Sequence, residues 1–195
     1  MVRQLVTDPR QDILRMAAQL FQRQGYDATS MNDIATALQL SKGGLYHHFQ
    51  GKEEILFEIM NHALNLTDER VLEVVRQTEG AERKLRTLIR LHIDMVAGGR
   101  DREITVMLHE NHPLPVHLRR KINARKKEYV QFVAGVISDV RSARKSQSAL
   151  TPGAAAYALL GMLNWIYQWY RPDGALSPDD LAVQYTEIFF NGALR

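Results

Sequence analysis

The chain has 195 residues, 45% of them apolar and 24% charged, with 25 Lys+Arg against 22 Asp+Glu and no cysteine. That length fits one domain or a small module joined to a larger one, and the apolar fraction excludes disordered, collagen-like and coiled-coil classes. Without cysteine there are no disulfides, iron–sulfur clusters, cysteine zinc sites or catalytic thiol.

Strand signals are nearly absent, because apolar residues recur at three and four instead of alternating, and an all-α fold is expected. A first helix begins near Pro9, a suitable first-turn residue. It turns Ile13, Ala17, Leu20 and Phe21 inward and stops at Gly25, a suitable cap. Ser30 with Asp33 three residues on makes a capping-box pattern, opening a second helix at 31–38 that buries Ile34, Ala35 and Leu38. Gln39-Leu40 is a tight connection. Ser41 then caps a short third helix, 42–48, which presents Leu45 and Phe49 to the first two and ends by Gly51. A long fourth helix runs from Lys52 to about Val75, with Ile55, Leu56, Ile59, Met60, Ala63 and Leu66 inward, until Gly80 allows a break. Further helices are expected at 81–97, 102–110, 115–144, 152–170 and 178–192. Gly98-Gly99, Pro113 with Pro115, the serine-rich stretch 142–148, and Arg171-Pro172-Asp173-Gly174 punctuate them. No internal repeat stands out. The longest nearly apolar run, 154–167, is interrupted by Asn164 and falls short of the ~18 residues of a bilayer span. The N-terminal MVRQLVTDPRQDI lacks the apolar core of a signal peptide, so a cytoplasmic protein without a membrane partner is expected.

Two short helices joined by a tight turn make a helix-turn-helix, whose second helix can enter the ~12 Å wide major groove of DNA. Ser41-Lys42-Gly43-Gly44 gives that helix a start with few bulky side chains, so backbone N–H groups and a lysine can approach phosphates or base edges closely. Tyr46, His47 and His48 add hydrogen-bonding groups of medium reach, and Lys52 opens the next helix where its charge can hold a phosphate. Residues 1–60 carry six basic and seven acidic side chains, so any DNA contact there rests on a few well-placed donors. The motifs AAxLFxxxGYxxTS, DIAxALxLSKGGLYHHF and KEEIL between Ile13 and Met60 resemble the DNA-binding domain of the TetR family of bacterial transcriptional regulators. That resemblance implies a DNA-facing set of Thr29, Ser30, Ser41, Lys42, Gly43, Gly44, Tyr46, His47 and Lys52. It also implies a division into a helix-turn-helix domain, 1–55, and a helical effector and dimerisation domain, 56–195.

Regulators of this family form homodimers through their last two helices and enclose a small-molecule pocket. Here those helices are 152–170 and 178–192; Ala154, Ala158 and Gly161 make a small-residue stripe for close approach, with Phe189 on the last helix. Trp165 and Trp169, at four-residue spacing, fit either core packing or effector contact. Along 115–144 the residues Leu118, Ile122, Arg125, Tyr129, Phe132, Val136 and Val140 form an inward stripe with one arginine in it. An unpaired buried arginine is costly, so Arg125 should meet a carboxylate such as Glu110 or an anionic ligand. Arg119, Arg120, Lys121, Arg125, Lys126 and Lys127 form a basic block that suits either an anion or a solvated helix face. The pattern GMLNWIYQWYRPDGALSPDDLA, with this block, resembles the effector domain of TetR regulators that answer to acyl-CoA esters in fatty-acid or sterol-ring breakdown. An acyl chain suits an apolar helical tunnel, and coenzyme A phosphates suit arginines at its mouth. The candidate effector residues are Met107, Glu110, Arg125, Tyr129, Asn164 and Trp165.

The expected protein is a homodimeric repressor that leaves a palindromic operator when the effector binds, repression itself resting on the family tendency. A drug-responsive repressor of an efflux pump is the alternative. A helical metalloprotein or enzyme is the rival class. His109-Glu110-Asn111-His112 lacks the His-Glu-x-x-His spacing of zinc proteases, no catalytic, phosphate-loop or dinucleotide motif occurs, and neither cofactor nor metal is called for.

Overall fold

A computed structural model describes residues 8–98, 102–109, 114–146 and 148–192, with the backbone alone for Arg102 and His109. The chain divides into two compact units, one of residues up to 63 with 102–122, the other of 64–101 with 123–195. The expected boundary at 55/56 falls inside a continuous helix, and 102–122 joins the N-terminal unit.

In the first unit, α1 (Pro9–Gln24) opens on Asp8, whose carboxylate accepts from Arg10 N–H, and closes at Gly25 with φ 85°. Ile13, Ala17, Ala18 and Phe21 form its buried face. The expected capping box opens α2 (Met31–Ala37): Asp33 N–H donates to Ser30 Oγ at 3.1 Å and Ser30 N–H to Asp33 Oδ2 at 2.8 Å. The turn after α2 uses a non-glycine left-handed residue, Gln39, with φ 57°. Leu40 N–H reaches Ala35 O at 2.9 Å and Gln39 N–H reaches Thr36 O at 3.1 Å, the paired bonds of a Schellman closure that fixes the bend before the next helix. Ser41 caps α3 (Lys42–His48) by accepting from Gly44 N–H at 3.0 Å. Leu45 and Phe49 anchor α3 in the core, and Phe49, already extended, ends the helix before Gly51 does. α4 (Lys52–Thr67) adds Ile55, Leu56, Ile59 and Met60 to that core, and α7 (Arg102–His109) packs against α1 through a segment burying Ile104 and Val106.

In the second unit the helix begun by α4 passes through a π turn (Asp68–Leu72), in which Glu73 N–H bonds Asp68 O, and ends as α5 (Glu73–Gln77). The sequence expected one uniform helix here. Gly80, at φ 83°, turns the chain into α6 (Ala81–Ala97), the central helix of the unit, which buries Leu85, Leu88, Ile89, His92 and Ile93. Around it lie α9 (Pro152–Asn164), α10 (Ile166–Trp169) and α11 (Pro178–Gly192). α8 (Val116–Arg144) carries Val133, Val136, Ile137 and Val140 into the core. The helix expected over 152–170 is broken at Trp165: a ψ of −13° tightens the chain so that Gln168 N–H reaches back only three residues, to Trp165 O. Among the described residues no strand occurs.

Candidate nucleic-acid interface and effector site

On α3 the apolar residues face inward, while Ser41, Lys42, Gly43, Tyr46 and His47 lie exposed together. Gly44 is half-buried; a Cβ there would stand 3.2 Å from Ser41 Oγ and press on the cap. A Cβ on Gly43 would meet nothing within 4 Å, so no neighbour within the unit requires a glycine there. Lys42 Nζ lies 5.9 Å from the Tyr46 ring centroid, and the His47 and His48 rings pack edge to face. Such a surface offers hydrogen-bond donors on a short projecting helix and buries no charge.

Three residues expected on DNA also have roles inside the unit. Thr29 is a correction: it is 1% exposed, its Oγ1 donates to Gly25 O at 2.8 Å and accepts from Gln24 Nε2 at 3.2 Å, and the side chain closes the end of α1. Ser30 is exposed, but its N–H and hydroxyl both go to Asp33 Oδ2, which holds the Asp33 carboxyl below its usual range. Lys52 is half-buried. Its Nζ donates to Tyr26 O at 2.8 Å and stands 4.1 Å from the Tyr26 ring centroid. Arg10, which the sequence did not single out, ties three segments: it donates to His48 O at 2.8 Å, lies 4.2 Å from the Phe49 ring centroid, and approaches Glu54 and Glu58 at 3.5 Å.

In the second unit Arg125 does find a carboxylate, but not Glu110, which lies outside the described residues. Arg125 donates to Asp68 Oδ2 at 2.5 Å and Asn65 Oδ1 at 2.9 Å, so it grips the first residue of the π turn. One turn along α8, Tyr129 Oη lies 2.9 Å from His92 Nδ1, and on the other side of that ring Nε2 lies 2.8 Å from Asn164 Oδ1. His92, 3% exposed, was missed from the sequence. Its signal was a histidine within the apolar stripe of Leu88, Ile89 and Ile93. Loss of hydration pulls its pKa down to about 4, against the opposing bond to Asn164. Burial, with a contribution from the Asp68 charge, pushes the Tyr129 hydroxyl up. Met107 is buried in the first unit, while Arg125, Tyr129 and Asn164 belong to the second. In the basic block Arg120, Lys121 and Lys127 are exposed, and burial lowers the Lys126 pKa.

Trp165 is neither core nor inward-facing, since it leaves 62% of its surface open. It continues an outward stripe on α9 formed by Ala154, Tyr157, Ala158 and Gly161. Phe189 is also corrected: at 3% exposure it packs in the core with Leu181, Thr186 and Phe190, and Val183 and Ile188 are the outward apolar residues of α11. The motif 109–112 lies outside the described side chains; among those described, no group of three or more His, Cys, Asp or Glu residues could hold a metal.

Residues 13–59 match the model for bacterial regulatory proteins of the tetR family, and residues 78–193 match that for a tetracyclin repressor-like C-terminal domain. The chain belongs to the TetR family. This TetR-family chain is similar to the crystal structure of AibR in complex with isovaleryl coenzyme A and operator DNA, with 38% identity, 93% of this chain and 97% of that chain covered, and a TM-score of 0.87. It is 26% identical over 184 residues to the HTH-type transcriptional repressor KstR2 of Rhodococcus jostii (strain RHA1), covering 94% of this chain and 90% of that protein. It is 24% identical over 181 residues to the fatty acid metabolism regulator protein of Bacillus subtilis (strain 168), covering 92% and 93%. The all-α fold and the helix-turn-helix expected from the sequence are those of the TetR family, a family of transcriptional regulators. No helix among the described residues is long and apolar enough to cross a membrane.

Proposed function

We propose that the chain is a cytoplasmic, homodimeric transcriptional repressor that binds a palindromic operator through α3 and is released by an acyl-CoA ester. It performs no reaction. Ser41, Lys42, Gly43, Tyr46 and His47 meet the DNA, with Gly44 and Ser30 shaping the approach and Lys52 reaching a phosphate with the donors that Tyr26 leaves free. The α9 stripe and the outward residues of α11 form the dimer interface, which sets two α3 helices ~34–36 Å apart for successive major grooves.

The observation that carries the effector reading is the hold of Arg125 on Asp68 at the π turn. Anionic groups of an acyl-CoA compete with Asp68 for that guanidinium, as arginine forks suit both carboxylate and phosphate. The π turn is then free to rewind, and the helix that contains it changes the spacing of the recognition helices. Support also comes from the relatives, one solved with isovaleryl coenzyme A and operator DNA, another a fatty acid metabolism regulator.

Fluorescence anisotropy on an operator selected from a random DNA pool tests this reading. Acyl-CoA esters should release the DNA and raise the Tm of free protein, and by linkage DNA should weaken acyl-CoA binding by the same factor. Arg125→Ala removes the hold on Asp68 together with the anion contact, so it should weaken ligand-free DNA binding and leave acyl-CoA little further release to cause. If acyl-CoA esters neither release nor stabilise and neutral apolar compounds do both, the efflux-pump repressor replaces this reading.

A further inference from the structure

Three helices of the second unit, α6, α8 and α9, each bring one polar side chain to the same place among apolar residues, and the three are joined in series. Burying such groups without partners is costly, so the way they satisfy one another is constrained. The series has a direction. Asn164 Oδ1 can only accept, so the hydrogen 2.8 Å away belongs to His92 Nε2. A neutral imidazole with its hydrogen on Nε2 has a bare Nδ1, so Tyr129 Oη donates across the 2.9 Å to that atom. The low pKa of buried His92 keeps the ring in this neutral form. The Asn164 amide and the His92 tautomer are thereby coupled, and Tyr129, whose hydroxyl can donate or accept, supplies the hydrogen that the bare Nδ1 takes.

The other end of that amide has nothing to hold. Asn164 is half-buried at the last turn of α9, and its Nδ2 hydrogens find no acceptor among the described residues. A free asparagine could flip and offer an acceptor instead, but here the flip would require His92 to move its hydrogen to Nδ1 and Tyr129 to turn from donor to acceptor at the same time. The chain therefore carries an oriented pair of N–H donors beside the apolar centre of the unit, on the same polar seam as Arg125.

We infer that Asn164 donates to the acyl carbonyl oxygen of the bound thioester, with His92 and Tyr129 as positioning residues that fix the donor end of its amide. This rests on the acyl-CoA reading above and names what that site recognises: the C=O of the thioester, in addition to the hydrocarbon and the anionic groups. An acyl chain without a carbonyl, or a neutral hydrophobic drug, leaves the Asn164 donors unmet.

The test uses the full chain and two probes, isovaleryl-CoA and its thioether analogue, in which CH2 replaces C=O. By calorimetric titration the wild type should bind the thioester about tenfold more tightly, equivalent to about 1.4 kcal/mol. Asn164→Leu should abolish the preference while leaving thioether affinity unchanged. His92→Phe should reduce it, whereas His92→Gln should restore it, because glutamine can accept from Tyr129 and donate to Asn164. Equal wild-type binding of both probes overturns the inference and leaves the acyl-CoA reading standing, and this comparison needs no variant to fold. If neither probe binds, the acyl-CoA reading falls and this inference goes with it.

Discussion

Truncating Trp165 should dissociate the dimer without unfolding the chain. The side chain leaves 62% of its surface open at the end of the α9 stripe. A tryptophan offers up to ~250 Å² to burial, so ~150 Å² remains for a partner. At ~25 cal/mol/Å² that corresponds to ~4 kcal/mol per protomer as an upper bound, and truncation of an aromatic interface anchor costs ~2 kcal/mol or more. A two-fold interface repeats the loss in both subunits, so Trp165→Ala should weaken the dimer by ~4 kcal/mol, about a thousandfold in Kd. Analytical ultracentrifugation from nanomolar to micromolar protein measures this, with circular dichroism to check helix content. Phe189→Ala should behave in the opposite way: at 3% exposure its loss costs ~3–5 kcal/mol of core packing and lowers the Tm instead. If Trp165→Ala dimerises with the wild-type Kd, the outward α9 stripe is not the interface, and the assignment of Tyr157 and Gly161 falls with it.

Thr29→Val keeps the shape of a buried side chain and removes only its bonds to Gly25 O and Gln24. It should lower stability by ~1 kcal/mol in urea unfolding while operator affinity measured on folded protein stays within twofold, and a tenfold loss of affinity would restore Thr29 to the DNA-contacting set. Lys52→Ala should weaken binding on all DNA sequences alike and reduce the slope of log K against log salt by ~1 per protomer, whereas an unchanged slope in anisotropy titrations removes Lys52 from the phosphate contacts. For His92 the folded pKa of about 4 lies below the ordinary 6.5, so between those values the unfolded chain binds more protons. The contribution is complete above about pH 6.5, declines as pH falls, and is fully lost near 4, a difference of ~3 kcal/mol. Urea unfolding across that window should show this decline in the wild type and a flatter profile in His92→Gln; identical profiles refute the assignment.

Helix ends were legible because they are set by neighbours in sequence. Pro9, Gly25, Ser30 with Asp33, and Ser41 all act within one turn, and the structure uses each as expected. What sequence periodicity does not contain is the choice between two faces that are both apolar. On α11, Phe189 and Ile188 are equally hydrophobic neighbours, and packing against α6 decides that Phe189 goes in and Ile188 stays out. The partner of Arg125 is 57 residues away, on a helix whose local winding had no marker in the sequence, so the need for a carboxylate was readable and its identity was not. Gln39 shows the same limit: its left-handed turn is imposed by the joint packing of α2 and α3, where local preference favours glycine. The exposed surface of α3 was readable, because Leu45 and Phe49 leave only one side of so short a helix for anything else.

The pair between Arg125 and Asp68 is poorly suited to holding a fold and well suited to being exchanged. Their side chains remain 26% and 47% exposed, and ion pairs as open as this contribute ~1 kcal/mol or less to stability. The π turn that Asp68 begins closes through Glu73 N–H on Asp68 O, one residue longer than the regular helix on either side. Rewinding one such turn to α geometry changes the helix by a residue's rise, ~1.5 Å, and rotates one end of the helix against the other by ~100°. A ligand drives such a change only through its differential affinity for the two windings, and couplings between sites in regulators are typically ~1–3 kcal/mol. A strong buried bridge at this point would oppose that amount. A half-exposed pair does not, so the proposed competition of an effector anion with Asp68 for Arg125 lies within the free energy that one charge-assisted contact supplies, ~1.5–3 kcal/mol.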